Sequence, residues 1–335
     1  MTTTSIPQHK INPSICYQTL EDFKHLTRQY ALFHISFFSA IFLELTAFVL
    51  FFSFLTQTTT LAFSLAALFF TAFTYFILLF YLQAKKPEDI LRLKNTFLAL
   101  CEQTAPSTAT PYEKYQFMAS ALEQFIEELH NQEYTYYSLP SSLSTLSPLM
   151  EKFSAWVHWK DLHKIKELVL MELIASNIAL VKLKPTDAKI HASLAKTYEV
   201  LAWLHTNPQR LNPEASISWV PPEYNSSEML HKRQRALLKA LEEYKIVLAY
   251  APHEPWVYPE LASVYRELER PEEEIQCYET LLNLVPTSPD ISLRLGTLYF
   301  EQGLNARGLD IYKKLLEVDP PKADQLIALY EKTSP

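Results

Sequence analysis

Residues 31–55 (ALFHISFFSAIFLELTAFVLFFSFL) and 61–82 (LAFSLAALFFTAFTYFILLFYL) are two apolar runs joined by the uncharged polar stretch 56–60, and they narrow what the chain can fold into more than any other feature. At 1.5 Å rise per residue, each is long enough as a helix to cross roughly 30 Å of hydrocarbon. Glu44 is the one ionisable carboxylate in the pair, so neither run has a polar face to turn to water. The expectation is a transmembrane helical hairpin. A cleaved signal peptide fits poorly, because thirty mixed residues precede the first run and a second run follows at once. The linking stretch is too short for a domain, so the helices run antiparallel with both ends on one side. Lys24 and Arg28 precede the hairpin, and Lys85, Lys86, Arg92 and Lys94 follow it. By the positive-inside tendency both termini are cytoplasmic.

Glu44 lies midway along the first run, where an ionisable group costs about 2.5–3.5 kcal/mol on insertion scales. It needs a partner or a proton. Folding the hairpin about its turn places Thr71 opposite Glu44 and Thr74 within one helical turn. Hydroxyl partners inside the hairpin are the conservative reading, and an oligomer contact or proton-coupled step is the functional one.

Glycine occurs only at positions 296, 303 and 308. Sheet turns, phosphate loops and dinucleotide sites depend on glycine for tight turns and close backbone approach, so the fold class expected is all-α and those sites are excluded. Cys16, Cys101 and Cys277 are too scattered for a zinc site, and read as thiols in a reducing compartment. Beyond residue 82 there are 27 basic against 34 acidic residues, which disfavours nucleic acid as a partner. No cofactor site is expected. The most enzyme-like group is Trp156, His158, Trp159, His163 and Glu167, in which His163 and Glu167 share a helical face. Two ligands make a weak metal site, and amphipathic packing is the plainer reading.

The C-terminal hundred residues repeat with a period of 34. Leu261/Leu295, Ala262/Gly296, Tyr265/Tyr299, Tyr278/Tyr312, Leu281/Leu315 and Pro286/Pro320 all match at that offset, and Tyr244, Val247 and Pro252 extend the series upstream. This pattern resembles the tetratricopeptide repeat family, whose units pair two antiparallel helices through small residues and need a neighbour to bury their outer face. Glu274 departs from it by standing where a small residue is usual, and Tyr258 and Ser292 replace a leading Trp. A weaker copy begins at His191-x-x-Leu194-Ala195-x-x-Tyr198. An insertion at about 206–228, with four prolines, Trp219 and Tyr224, divides it from its second helix. That segment cannot be one helix. It is open between packing on the repeats, covering their groove and being disordered.

The domain layout expected is therefore an N-terminal cytoplasmic segment (1–30), the hairpin (31–82), membrane-proximal helices (83–147), and an α-helical repeat solenoid (148–335). Within it, 87–103, 111–132, 148–159 and 162–184 have helical apolar spacing, and 133–147 reads as a loop. The resemblance implies a concave peptide-binding surface on the first helices. Its candidate contacts here are Lys189, Lys196, Trp256, Arg266, Leu293, Thr297 and Phe300. No Asn lies among the groove positions, which departs from the two-carboxylate clamp of chaperone-tail receptors. The surface suits an amphipathic helix or an extended apolar segment instead, or its aromatics simply fill the repeat interior.

The function expected is a non-enzymatic, membrane-anchored scaffold mediating protein–protein interaction on the cytoplasmic side, in a bacterial inner membrane. One rival is a structural subunit that assembles through the hairpin, with other chains or as a homo-oligomer. Another is suggested by the hairpin's architectural resemblance to the bilobed anchors of inclusion-membrane proteins, which would face the repeats toward a host cytosol.

Overall fold

The computed structural model describes residues 13–50, 58–106, 108–137, 145–211 and 220–333. Every regular element among them is helical. The end of the first apolar run, the first two residues of the turn that follows it, part of the expected 133–147 loop and Trp219 lie outside the described residues. The chain forms two compact units, the first running to Leu173 and the second taking up at Ile174.

The first unit is built on two long helices, α1 (Pro13–Leu50) and α2 (Thr58–Thr104). They are followed by α3 (Pro111–Glu128), the short α4 (Gln132–Thr135) and the N-terminal part of α5 (Ser147–Leu183). Each long helix is half core element and half apolar rod. Cys16, Leu20 and Phe23 of α1 pack with Ile90, Phe97 and Cys101 of α2, with Leu122 and Phe125 of α3 and Leu129 just beyond it, and with Leu162, Ile165 and Val169 of α5. Phe97 and Phe125 stack at 4.6 Å between ring centres. Polar chemistry closes the core where the apolar rods begin: Tyr30 donates to Asp89 at 2.9 Å, Lys86 pairs with Asp161 at 2.6 Å, and the Lys86 ammonium lies 5.2 Å from the Tyr30 ring centre. Helix α3 is started by a capping box, in which Thr110 and Glu113 satisfy each other's backbone N–H groups.

Two expectations are corrected here. Residues 87–103 are not a separate helix opened by Pro87, because Pro87 sits inside α2. An interior proline forgoes one helical hydrogen bond at a cost of about 3 kcal/mol, which the flanking apolar run and the core contacts of Ile90 and Phe97 outweigh. Likewise 148–159 and 162–184 are one helix, α5, with no break at Lys160 and Asp161.

The second unit takes the rest of α5, then α6 (Ala188–Leu204), the single turn α7 (Pro208–Leu211), a 3-10 turn at Pro222–Asn225, and α8 (Ser227–Tyr250). Helices α9 (Val257–Glu267), α10 (Pro271–Leu284), α11 (Pro289–Glu301), α12 (Asn305–Val318) and α13 (Pro320–Thr333) complete it. The sequence period is a period of the backbone. Helices α8, α10 and α12 end at Tyr250, Leu284 and Val318, at intervals of 34, and each is closed by the same bond: Ala251 N–H to Val247 at 2.8 Å, Val285 N–H to Leu281 at 2.9 Å, and Asp319 N–H to Leu315 at 2.7 Å. The turn inside each pair repeats too, with Arg270 N–H donating to Tyr265 at 2.9 Å and Leu304 N–H to Tyr299 at 2.7 Å. The structure is thus an all-α fold of stacked helical pairs, preceded by two long apolar helices.

These turns need one left-handed residue each, and two different residues fill the position: Gly303 at φ 71° and Glu269 at φ 57°. A side chain in that region costs roughly 1–2 kcal/mol. Gly303→Ala is therefore expected to lower stability by about 1 kcal/mol, although a Cβ there meets no atom within 4 Å. Glu269→Gly is expected to raise it by about 0.5 kcal/mol, since the entropy of the added glycine offsets part of the relief. Denaturant titration of the two variants reads both signs.

Candidate partner face and hairpin

The departure at Glu274 has a physical explanation. Its carboxylate is buried, 2% exposed, on the face where α10 meets its neighbours. Oε1 accepts from Arg266 of α9 through Nε at 2.9 Å and Nη2 at 2.7 Å, and from Arg294 of α11 at 2.9 Å. A small residue there would let the helices approach directly, whereas Glu274 ties three of them by charge. Arg266 is consequently not a free cation of the groove. Burial acts to lower its pKa, but Glu274 outweighs burial and holds it above its ordinary value.

Lys196 of α6 is similarly engaged. Its ammonium donates to Glu199 at 2.8 Å and to Glu260 of α9 at 3.0 Å, and it lies 5.1 Å from the Trp203 ring centre. Burial pulls its pKa down, and the two carboxylates outweigh that and raise it. Glu199 is itself buried, and burial pushes its carboxyl upward against the pull of Lys196. Trp256, 45% exposed, stands one turn before Glu260. Lys189 is exposed in the first turn of α6, where Asp187 caps its backbone N–H at 3.0 Å. Leu293 and Thr297 are half-buried, and the Thr297 hydroxyl donates to the Leu293 carbonyl at 2.9 Å.

Phe300 does not belong to an open groove, and that expectation is corrected. It is 5% exposed, its ring centre lies 4.7 Å from that of Tyr330 on α13, and a Cβ on Gly308 would stand 2.4 Å from its Cε1. The glycine is what admits the ring. Trp203 and Glu260 are not singled out by the sequence pattern, although the spacing Lys196 to Trp203, two turns of one helix, is an available signal.

In the hairpin, the Thr71 hydroxyl donates to Glu44 Oε1 at 2.8 Å, while Glu44 Oε2 is buried without a hydrogen-bond partner among the described residues. Thr74 is half-buried one turn further along α2. Nearer the core, Tyr75 is enclosed by Phe33, Phe37 and Phe38 at 5.5–5.7 Å between ring centres, and its hydroxyl lies 3.1 Å from His34 Nδ1.

The cluster around His158 proves to be an aromatic nest. His158 stacks on Tyr136 at 3.9 Å, and its Nε2 lies 2.7 Å from the Tyr137 hydroxyl. Trp159 packs against His163, whereas Trp156 is exposed. Among the described residues no three His, Cys, Asp or Glu side chains stand close enough to hold a metal ion.

No protein-family model matches the chain, and no curated protein does. Among solved structures, a thermophilic TPR protein of Thermus thermophilus aligns at 17% identity over 74% of this chain and 98% of its own, with a TM-score of 0.31. MamA aligns at 15% identity over 64% of this chain and 98% of its own, with a TM-score of 0.32. At such scores these likenesses carry no argument, and the helical-pair assignment rests on the chain's own backbone repeat.

Burial, then the charges of Lys86 and Arg28, push the His158 ring down from its ordinary value to about 4. The unfolded chain therefore takes up a proton near pH 6.5 that the folded chain refuses until about pH 4. Stability is expected to fall as pH drops through that window. His158→Gln should flatten the slope between pH 6.5 and 5, read as the pH dependence of the denaturation midpoint.

Proposed function

We propose that this protein is a membrane-anchored helical-repeat scaffold, which holds a protein partner beside a bilayer and carries out no catalysis of its own. The observation that carries the reading is the contrast within α1 and α2. Their water-side halves supply a buried core, but in the most apolar 18-residue windows none of the α1 residues and 6% of the α2 residues are buried. Phe63 is 78% exposed, and Phe42, Leu43, Phe69 and Phe70 are exposed alike. Helices long and apolar enough to cross a membrane, yet uncovered by their own protein, fit lipid better than water.

In this reading the chain is a two-span membrane protein with both termini cytoplasmic, in a bacterial inner membrane, and the basic flanks set its sidedness. The repeat unit offers its partner Lys189, Trp256, Leu293 and Thr297, with Lys196 and Arg266 fixing the wall behind them. The partner is a helix or an extended apolar peptide, and not nucleic acid. Anchoring raises its effective concentration at the membrane surface.

A second reading has one specific observation in its favour. The unpartnered Glu44 Oε2 inside the hairpin would be satisfied by a donor from another helix, which would make the hairpin an assembly element, with a second copy or with other subunits.

Deleting residues 1–82 does not separate the two readings, because Cys16, Leu20 and Phe23 belong to the core of the first unit. Replacing 34–80 with a short Gly/Ser turn keeps that core. The scaffold reading expects this variant to be water-soluble and to retain its partner in pull-downs, with Trp256→Ala weakening capture at least tenfold. Loss of every partner with the hairpin, or the same loss in full-length Glu44→Gln, favours the assembly element.

A further inference from the structure

Where the apolar rods leave the core, a groove of about 610 Å³ lies between them and the start of α5. That volume is within the roughly 300–1,000 Å³ of sites that bind small molecules. The hairpin wall carries the aromatic pair Phe38 and Tyr75, 5.5 Å apart between ring centres, and the α5 wall carries Phe153 and Trp156 at 6.3 Å. None of the lining residues is Asp, Glu, Lys or Arg. Besides the Trp156 indole, the polar side chains that reach the groove are His34, Ser39 and Tyr75. The Tyr75 hydroxyl meets His34 Nδ1 at 3.1 Å, which leaves His34 Nε2 and the Ser39 hydroxyl without a hydrogen-bond partner among the described residues.

Depth and chemistry together select the occupant. His34 and Ser39 lie three and eight residues inside the first apolar run, and Tyr75 seven inside the end of the second, about 5–12 Å by helical rise. That overlaps the depth of about 5–10 Å at which headgroups give way to acyl chains. The groove therefore opens to lipid, where water to satisfy its two spare polar groups is scarce. A soluble peptide would have to enter the bilayer to reach it. An acyl chain would fill the volume, but it would leave both polar groups unmet and gain nothing from the aromatic walls. A planar, uncharged ring bearing carbonyl oxygens meets every condition. It packs against aromatic side chains and brings no charge into a site without a countercharge. In the tautomer where Nδ1 accepts from the Tyr75 hydroxyl, His34 Nε2 carries a proton, so the groove offers that N–H and the Ser39 O–H as donors to a carbonyl oxygen.

We propose that the groove between α5 and the base of the hairpin binds the ring of a lipid-soluble quinone, with His34 Nε2 and the Ser39 hydroxyl donating to its carbonyl oxygens. The prenyl tail then lies along the exposed apolar surface of the hairpin. The proposal rests on the membrane reading above and adds a ligand to it. Binding alone is proposed, with no electron transfer. A ring held between the two aromatic pairs bridges α5 to α1 and α2, so that loading the site braces α5 against the hairpin.

The test uses the full chain reconstituted in phosphatidylcholine vesicles with traces of two photoactivatable probes. One is an azidoquinone with a decyl tail, and the other a phosphatidylcholine with a diazirine in its acyl chain. After illumination, adducts are mapped by peptide mass spectrometry. The azidoquinone is expected to label 34–39 and 153–157, excess decyl-substituted benzoquinone to displace it, and the same amount of decanol to leave it in place. The variant His34→Phe/Ser39→Ala keeps the apolar walls. It should raise the benzoquinone concentration needed for displacement roughly fivefold or more, the worth of a hydrogen bond. Val157→Trp, which fills the groove, should abolish the azidoquinone label. The diazirine lipid is expected on Phe69 and Phe70 in the unaltered chain and in both variants, which reports an inserted hairpin. With that lipid label present, three results overturn the proposal and leave the hairpin in the membrane: no azidoquinone label at the groove, displacement by decanol as readily as by benzoquinone, or indifference to His34→Phe/Ser39→Ala. Absence of Phe69 and Phe70 adducts in the unaltered chain overturns the membrane reading together with it.

Discussion

The first unit depends on the unbroken run of α1 and α2 from the core into the apolar hairpin. A continuous helix satisfies its own backbone donors and acceptors, so it can pass from a packed, water-bounded core to a surface with no polar face without exposing an unpaired peptide group. The foot of the hairpin is therefore set by packing. Phe23, Phe97 and Phe125 fix the two helices against α3, and the Lys86–Asp161 and Tyr30–Asp89 contacts mark the level at which charge stops and apolar surface begins. Burial pushes the Asp161 carboxyl upward, against the ammonium 2.6 Å away. The ammonium offsets part of that rise, and the carboxyl stays above its ordinary value.

The second unit solves a different problem. Each helical pair exposes an apolar face that only its neighbour covers, and the recurrent turn and cap bonds keep successive pairs in register. Two features adapt the pattern. Glu274 replaces close helix approach with a buried carboxylate shared between two arginines, a device that breaks badly when one partner is lost. Helix α13 closes the far end, where Leu326 packs against Gly296 and Tyr330 against Phe300. A solenoid otherwise ends on an open apolar face.

The period is legible in the sequence because small, aromatic and proline positions recur at a fixed offset, and the facing of Glu44 and Thr71 because an antiparallel pair leaves little choice of register. The continuity of α2 through Pro87 and of α5 through Lys160–Asp161 is not legible. Local signals read proline and charge as boundaries, and only the burial of Ile90, Phe97, Leu162 and Ile165 in one core overrides them. Phe300 misleads for a similar reason. Its repeat position faces the groove in an idealised unit, but Gly308 and Tyr330, contributed by two later helices, draw the ring inward. The engagement of Lys196 and Arg266 depends on partners as many as 64 residues away in sequence, beyond any local pattern.

A hairpin that crosses a bilayer and returns must present its turn and its soluble units to opposite sides, and chemical labelling reads that difference. The three native cysteines are buried, so Thr59→Cys at the hairpin's far end and Lys114→Cys on the exposed start of α3 would be the reactive thiols in single variants. With a membrane-impermeant maleimide added to sealed, oriented vesicles, the two positions are expected to label from opposite sides. Labelling of both from the same side would contradict the two-span anchor.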